Sequence, residues 1–201
     1  KNTKKILVVS SVPNEGKSFI SMHLWRMLAE SGFKSVLMDT DLRKSVMKER
    51  HHFTSEDEIK GLDYYLSGLS EYSDIVYHTN IANGDIIPST QSLENPSTLL
   101  EDPRFGELFE RLSEDYRYVI VDAPPLINVA DGALIASMCD GAILVVNSAE
   151  TSRNLVRQSL AQIERSDCKM LGMVLNKVRM ENRAYYKYYG KYGKAYYHSD
   201  P

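Results

Sequence analysis

The chain has 201 residues, 43% of them hydrophobic and 25% charged, which is material for one sizeable core and one globular domain. Its 24 Lys and Arg against 27 Asp and Glu give a net charge of -3, which excludes a global attraction to nucleic acid or anionic lipid and makes any polyanion site local. Two cysteines, Cys139 and Cys168, are too few for a disulfide framework and lack metal-ligand spacing, so both are expected to be core thiols in a reducing compartment. The longest apolar runs, such as Ala142 to Val146, are strand-sized, far short of the roughly 20 residues needed to cross a bilayer. The first residue is Lys1 rather than Met and no signal peptide precedes the first strand, as expected of a fragment of something longer.

Ile6 to Ser10 is a short β-branched run that enters a Pro- and Gly-containing loop and then a helical pattern from Ser18 to about Ser31. Val36 to Asp39, Val119 to Asp122, Ala142 to Val146 and Met170 to Leu175 repeat the apolar run. Helical spacing over residues 62–68, 97–115, 130–139 and 152–165 supplies crossovers between strands. Continuous apolar strands separated by helices predict an α/β, doubly wound, mostly parallel sheet. The stretch from about Lys44 to Ile87 reads as loops with one or two short helices. The hydrophobic pattern ends after Lys177, so the sequence predicts one domain over residues 1–178 and a disordered tyrosine-rich tail over 179–201.

The first loop carries the chemistry. Ser11-Val12-Pro13-Asn14-Glu15-Gly16-Lys17-Ser18 fits the phosphate-binding pattern G-x-x-x-x-G-K-[ST], with Ser11 in place of the first glycine. A strand precedes it and a helix follows, so backbone N–H groups and the positive end of the helix dipole converge on phosphates. Lys17 supplies mobile positive charge and Ser18 a hydroxyl for Mg2+. The alternative, a surface turn with a chance lysine, leaves the strand–loop–helix context unexplained. The nucleotide-binding candidates are Pro13, Asn14, Glu15, Gly16, Lys17, Ser18 and Phe19, with Arg43.

Two carboxylate clusters fall at predicted strand ends, where open sheets bind ligands. Asp122, in Val119 to Pro125, reads as a metal-holding aspartate or as a turn residue. Asp39 and Asp41, alternating as their strand leaves the sheet, can face one crevice. One then holds metal-bound water while the other accepts a proton from an incoming hydroxyl. Arg43 pairs either with phosphate or with one of these carboxylates. Lys17, Asp39, Asp41 and Asp122 are the catalytic candidates, and Ser18, Asp122 and one of Asp39 and Asp41 the metal candidates.

Together S-x-x-P-x-E-G-K-S at Ser10 to Ser18, D-x-D-x-R at Asp39 to Arg43 and D-x-P at Asp122 to Pro124 resemble the bacterial tyrosine kinase family. Asn95-Pro96-Ser97, Asp131, Asp140-Gly141 and Leu171 to Asn176 extend the likeness over nearly the whole chain, although Asn14 stands where glycine is common. The resemblance implies a P-loop NTPase fold, ATP and Mg2+ as cofactors, Asp41 and Asp122 in the magnesium shell, Asp39 as the tyrosine-activating base, and an adenine contact from Asn176. It also implies control of capsular or extracellular polysaccharide biosynthesis through a transmembrane adaptor of the polysaccharide co-polymerase type. With that adaptor come a cytoplasmic location at the inner face of the membrane, a ring-like homo-oligomer and a cognate phosphotyrosine phosphatase.

Seven tyrosines, Tyr185, Tyr186, Tyr188, Tyr189, Tyr192, Tyr196 and Tyr197, crowd the tail, interrupted by Lys and Gly so that no packed element forms. The family carries such a cluster as phosphoacceptors modified between molecules, and a segment of about 18 residues extends roughly 60 Å at the backbone's limit. Aromatic and basic interleaving also suits single-stranded nucleic acid, but no basic fold face accompanies it, so no nucleic-acid partner is expected. Two rivals remain at this level. A P-loop ATPase switch of the division-site type would carry a second loop lysine where Ser11, Val12 and Pro13 stand, and an inert ATP-binding scaffold would not need all of Lys17, Asp39, Asp41 and Asp122.

Overall fold

The computed structural model describes residues 4–43, 59–127, 131–148 and 150–178. The strands are β1 (Lys5–Ser10), β2 (Ser35–Asp39), β3 (Tyr77–His78), β4 (Gly84–Ile87), β5 (Tyr118–Asp122), β6 (Gly141–Asn147) and β7 (Lys169–Asn176). They form one seven-stranded sheet in the order β3-β4-β2-β5-β1-β6-β7, parallel except where β3 pairs antiparallel with β4. All five sequence-predicted strands are in it. The helices are α1 (Lys17–Glu30), α2 (Leu62–Leu66), α3 (Tyr72–Ile75), α4 (Ser97–Leu100), α5 (Pro103–Asp115), α6 (Asp131–Ser137) and α7 (Arg153–Arg165).

The period of two divides each central strand between two cores. Leu7 and Val9, Val36 and Met38, Val119 and Val121, and Leu144 and Val146 join the apolar side chains of α2 to α7. Val8, Leu37, Ile120 and Val145 join those of α1 around Trp25. The winding is therefore double but unequal, with α1 covering one face and the other described helices the opposite one. At about 1.5–3 kcal/mol per fully buried Val, Leu or Ile, a one-residue slip would turn each strand's core set over, so the register is held firmly. That register is what sets Asp39 beside Asp122.

Three expectations need correction. The region read as loops holds β3 and β4. β4 escaped because Asp85 interrupts its apolar run; the buried carboxylate is accommodated by the Tyr116 hydroxyl at 2.6 Å and by His78 Nδ1 at 2.6 Å. Gly84 lets the indole of Trp25 approach, since a Cβ there would lie 2.8 Å from the ring. Residues 97–115 form two helices rather than one, because Pro103 forces Asp102 to extended backbone and the Asp102 side chain then caps Arg104 N–H at 2.9 Å. Finally β7, expected as a buried strand, is the sheet's edge. A bulge opposite Ala142 and Ile143 shifts its phase, and Leu171, Met173 and Leu175 are exposed. Cys139 and Cys168 are buried free thiols, as expected. Among the described residues no helix is long and apolar enough to cross a membrane.

Candidate active site

Parallel strands direct their carboxyl ends to one edge of the sheet, and the site assembles there. After Ser10 the chain turns through Asn14 (φ 66°) and Gly16 (φ 96°) before α1 begins at Lys17. Left-handed backbone at Gly16 admits no Cβ without strain, and a Cβ would also overlap the Asn176 amide nitrogen. Asn176 Nδ2 instead donates to the Glu15 carbonyl at 2.9 Å, and Lys177 Nζ donates to the Asn14 carbonyl at 2.6 Å. Both residues at the end of β7 thus hold the loop.

Lys17 and the carboxylates come together as the sequence suggested. The Lys17 ammonium lies 3.1 Å from Asp41 Oδ2 and 3.7 Å from Asp122 Oδ1. Asp41 N–H donates to Asp39 Oδ1 at 3.0 Å, which fixes the two aspartates relative to each other. Thr40, between them, donates through both N–H and hydroxyl to the Asp122 carbonyl, at 2.9 and 3.0 Å. That double tie locks the end of β2 to the end of β5. Ser21 donates to the Asp122 carboxylate at 3.2 Å, and the nearby Ser18 hydroxyl also favours its ionised form. The single Ser21 proton is shared with the Lys17 carbonyl, 2.9 Å from the hydroxyl oxygen.

The electrostatics follow from burial. Desolvation, then the neighbouring Asp122 charge, push the Asp39 carboxyl well above the ordinary carboxylate range. Burial also raises Asp122, opposed by Lys17 and by the Ser18 and Ser21 hydroxyls. Burial works against the Lys17 ammonium, but Asp122, Asp41 and Asp39 outweigh it and hold its pKa above the usual lysine value. The site therefore keeps a fixed cation among acids, one of which is disposed to hold a proton.

Arg43, left between two partners by the sequence, takes a carboxylate outside the proposed pair. Its Nε donates to Asp131 Oδ2 at 2.6 Å and a terminal nitrogen donates to the Glu94 carbonyl at 3.1 Å, while Ser97 donates to Asp131 Oδ1 at 2.7 Å. Phe19 is exposed, its ring against His23 on the outer face of α1. Among the described residues no group of three or more His, Cys, Asp or Glu side chains forms an all-protein metal site. Ser18 and Asp122 nevertheless suit a magnesium that keeps most of its waters and takes other oxygens from phosphates. The phosphoacceptor candidates Tyr185 to Tyr197 lie outside the described residues. Sequence reasoning missed Thr40, Ser21 and the contacts of Glu15 described below; a hydroxyl beside each motif residue was the available signal.

The AAA domain family profile matches residues 3–172. The tyrosine-protein kinase CpsD of Streptococcus agalactiae is 42% identical over 191 residues, covering 94% of this chain and 82% of the relative. This chain belongs to the bacterial tyrosine kinase family. The kinase also matches the tyrosine-protein kinase wzc of Salmonella typhimurium at 30% identity over 95% of this chain but 26% of that much longer protein. The kinase domain of the Escherichia coli tyrosine kinase ETK superposes with a TM-score of 0.82 at 29% identity, covering 90% of this chain and 70% of that one. The septum site-determining protein MinD of Pyrococcus horikoshii follows at a TM-score of 0.75 and 22% identity, covering 90% of this chain and 73% of that one, a likeness of fold alone. The kinase is thus a tyrosine-protein kinase with an ATP-binding P-loop on a fold shared with MinD.

Proposed function

We propose that the kinase transfers the γ-phosphoryl group of ATP to tyrosines of its own C-terminal cluster, between subunits, and to other proteins. The observation that carries this reading is the convergence of Lys17, Asp41, Asp122 and Asp39 at the ends of β2 and β5 and the start of α1. Simple hydrolysis does not require the second acid of the Asp39–Asp41 pair.

In the proposed reaction the P-loop backbone and Lys17 hold the phosphates, and Ser18, Asp41 and Asp122 hold the magnesium shell. Those three residues would hold Mg2+, which would supply positive charge to offset that of the phosphates. The tyrosine oxygen forms a bond to the γ-phosphorus as the bond to the β-bridging oxygen breaks, and ADP leaves with that electron pair. Asp39 in its ionised form accepts the tyrosine proton; burial raises its proton affinity and the Asp41 N–H orients the carboxylate, which support that role. Catalysis is by positioning and charge neutralisation.

Membership of the family supports further parts of the reading: a transmembrane adaptor that holds the kinase at the membrane's inner face, a ring-like homo-oligomer, a phosphatase that resets it, and control of capsular polysaccharide production. Each tail phosphate adds about -1.5 to -2 charge, so phosphorylated tails would repel one another and release the ring.

The test is phosphotyrosine formation from labelled ATP and magnesium, with the adaptor's activating segment supplied. Lys17→Met should abolish it, and wild-type labelling of that variant would reject the site. Truncation after Asn182 tests the tail, since assembly that responds to ATP identically without it would reject the switch.

A further inference from the structure

Glu15 sits in the middle of the phosphate loop, yet its side chain is buried, with the residue 1% exposed, and faces protein donors. One carboxylate oxygen accepts Val12 N–H at 2.9 Å, within the loop itself. The other accepts Asn147 N–H at 3.0 Å, at the end of β6, and the Thr151 hydroxyl in the turn that follows. A second anchor lies alongside, where the Ser159 hydroxyl of α7 donates to the Ser11 hydroxyl at 2.8 Å, both groups buried. Ser11, the residue that departs from the loop pattern, is thus matched by a partner. The β6–α7 connection and α7 grip the loop at Ser11, Val12 and Glu15.

We propose that Glu15 is a positioning residue: its carboxylate joins Val12 to Asn147 and Thr151 and so fixes the loop in the shape that receives Mg·ATP. The proposal rests on the ATP-binding reading of this site and deepens it. A simpler electrostatic account predicts the opposite sign for substitution. A carboxylate close to a triphosphate repels it, so on charge alone Glu15→Gln would tighten nucleotide binding. On geometry, glutamine offers an acceptor on one side only. Its NH2 must face either Val12 N–H or Asn147 N–H, and a backbone N–H cannot turn into an acceptor. One buried donor is then left unmatched and the loop relaxes.

The experiment compares the full chain with Glu15→Gln, Thr151→Val and the double variant, measuring Mg·ATP binding by calorimetry and phosphotyrosine formation in steady state. Glu15→Gln should weaken binding and raise KM for ATP about tenfold or more, the scale of one unmatched buried donor, with a smaller change in kcat per folded molecule. Thr151→Val should weaken binding about threefold, and the double variant should fall short of the product of the two effects, as expected for groups on one carboxylate. Binding by Glu15→Gln as tight as wild type or tighter would overturn the proposal, as would fully multiplicative effects. An unchanged KM with activity lost only in proportion to unfolded protein would assign Glu15 to stability and overturn it too. Should Glu15→Gln fail to fold, Thr151→Val decides, with unchanged binding as the refuting result. If the wild type binds Mg·ATP but forms no phosphotyrosine, the kinase reading fails while the calorimetric comparison still judges Glu15.

Discussion

Arg43 ends the D-x-D-x-R motif, and its partner decides what the motif's arginine is for. Its guanidinium bridges the buried Asp131 carboxylate and the Glu94 carbonyl, so it ties the segment carrying Asp39 and Asp41 to α6 and to the chain before α4. Asp131 has a side chain only 1% exposed and, among the described residues, keeps the Ser97 hydroxyl as its side-chain donor if Arg43 is removed. Breaking a fully buried pair from one side costs about 3–5 kcal/mol. The Arg43 side chain is 36% exposed, so water replaces part of what is lost, and about 1–3 kcal/mol is the expected cost of Arg43→Met. Arg43→Lys should recover only part of it, because a single ammonium cannot reach both acceptors in the guanidinium's planar geometry. Urea unfolding measures the cost, and pairing Arg43→Met with Asp131→Leu should recover much of it, since the buried charge goes with its partner. If Arg43→Met left the unfolding midpoint unchanged and raised KM for ATP instead, Arg43 would be a phosphate ligand and the clamp would be wrong.

Asp39→Asn should cut phosphotransfer about 10²- to 10⁴-fold, the usual contribution of a positioned base, yet raise the thermal midpoint. The sign follows from its raised pKa: stability from Asp39 is present below the unfolded carboxyl's pKa and declines as pH climbs through the folded one. The gain from Asn should therefore grow from acid toward neutral pH. Cys168, pushed up to about 11 by burial and then by Asp140, should add stability that holds below about pH 9 and fades between there and 11. Urea midpoints at pH 8 and pH 10.5 should thus differ less in Cys168→Ala than in wild type. Gly16→Ala should weaken ATP binding about tenfold or more by calorimetry, because positive φ and displacement of the Asn176 amide both oppose the side chain. Gly172→Ala, with open space where the Cβ would go, is the control and should bind normally.

How much of this was legible depended on whether a residue's role was set locally or by register. The P-loop was plain because a strand, a turn and a helix start are local features, and Lys17 needs only them to face the strand ends. The five strong strands were plain because continuous apolar runs are what burial on both faces demands. β4 was hidden by Asp85, whose partners Tyr116 and His78 come from β5's approach and from β3. β7 was read as buried because its composition says so, while its edge position comes from pairing order and a bulge, which no apolar run encodes.

The same division explains the site. Asp39 and Asp41 looked paired from their spacing alone, but spacing could not say that Asp39 would lie opposite Asp122, since that depends on β2 pairing with β5 in one register. Thr40 enforces it at the strand ends with two bonds to one carbonyl. A slip of one residue would carry Asp39 to the other face and take Asp41 from Lys17, so stability of the sheet and placement of the acids are one constraint. Arg43 and Glu15 tie the same segments to their neighbours. The motif letters most easily read as ligands, an arginine and a loop carboxylate, meet the protein's own carbonyls, N–H groups and buried charge, while Lys17 and the three aspartates gather at the strand ends.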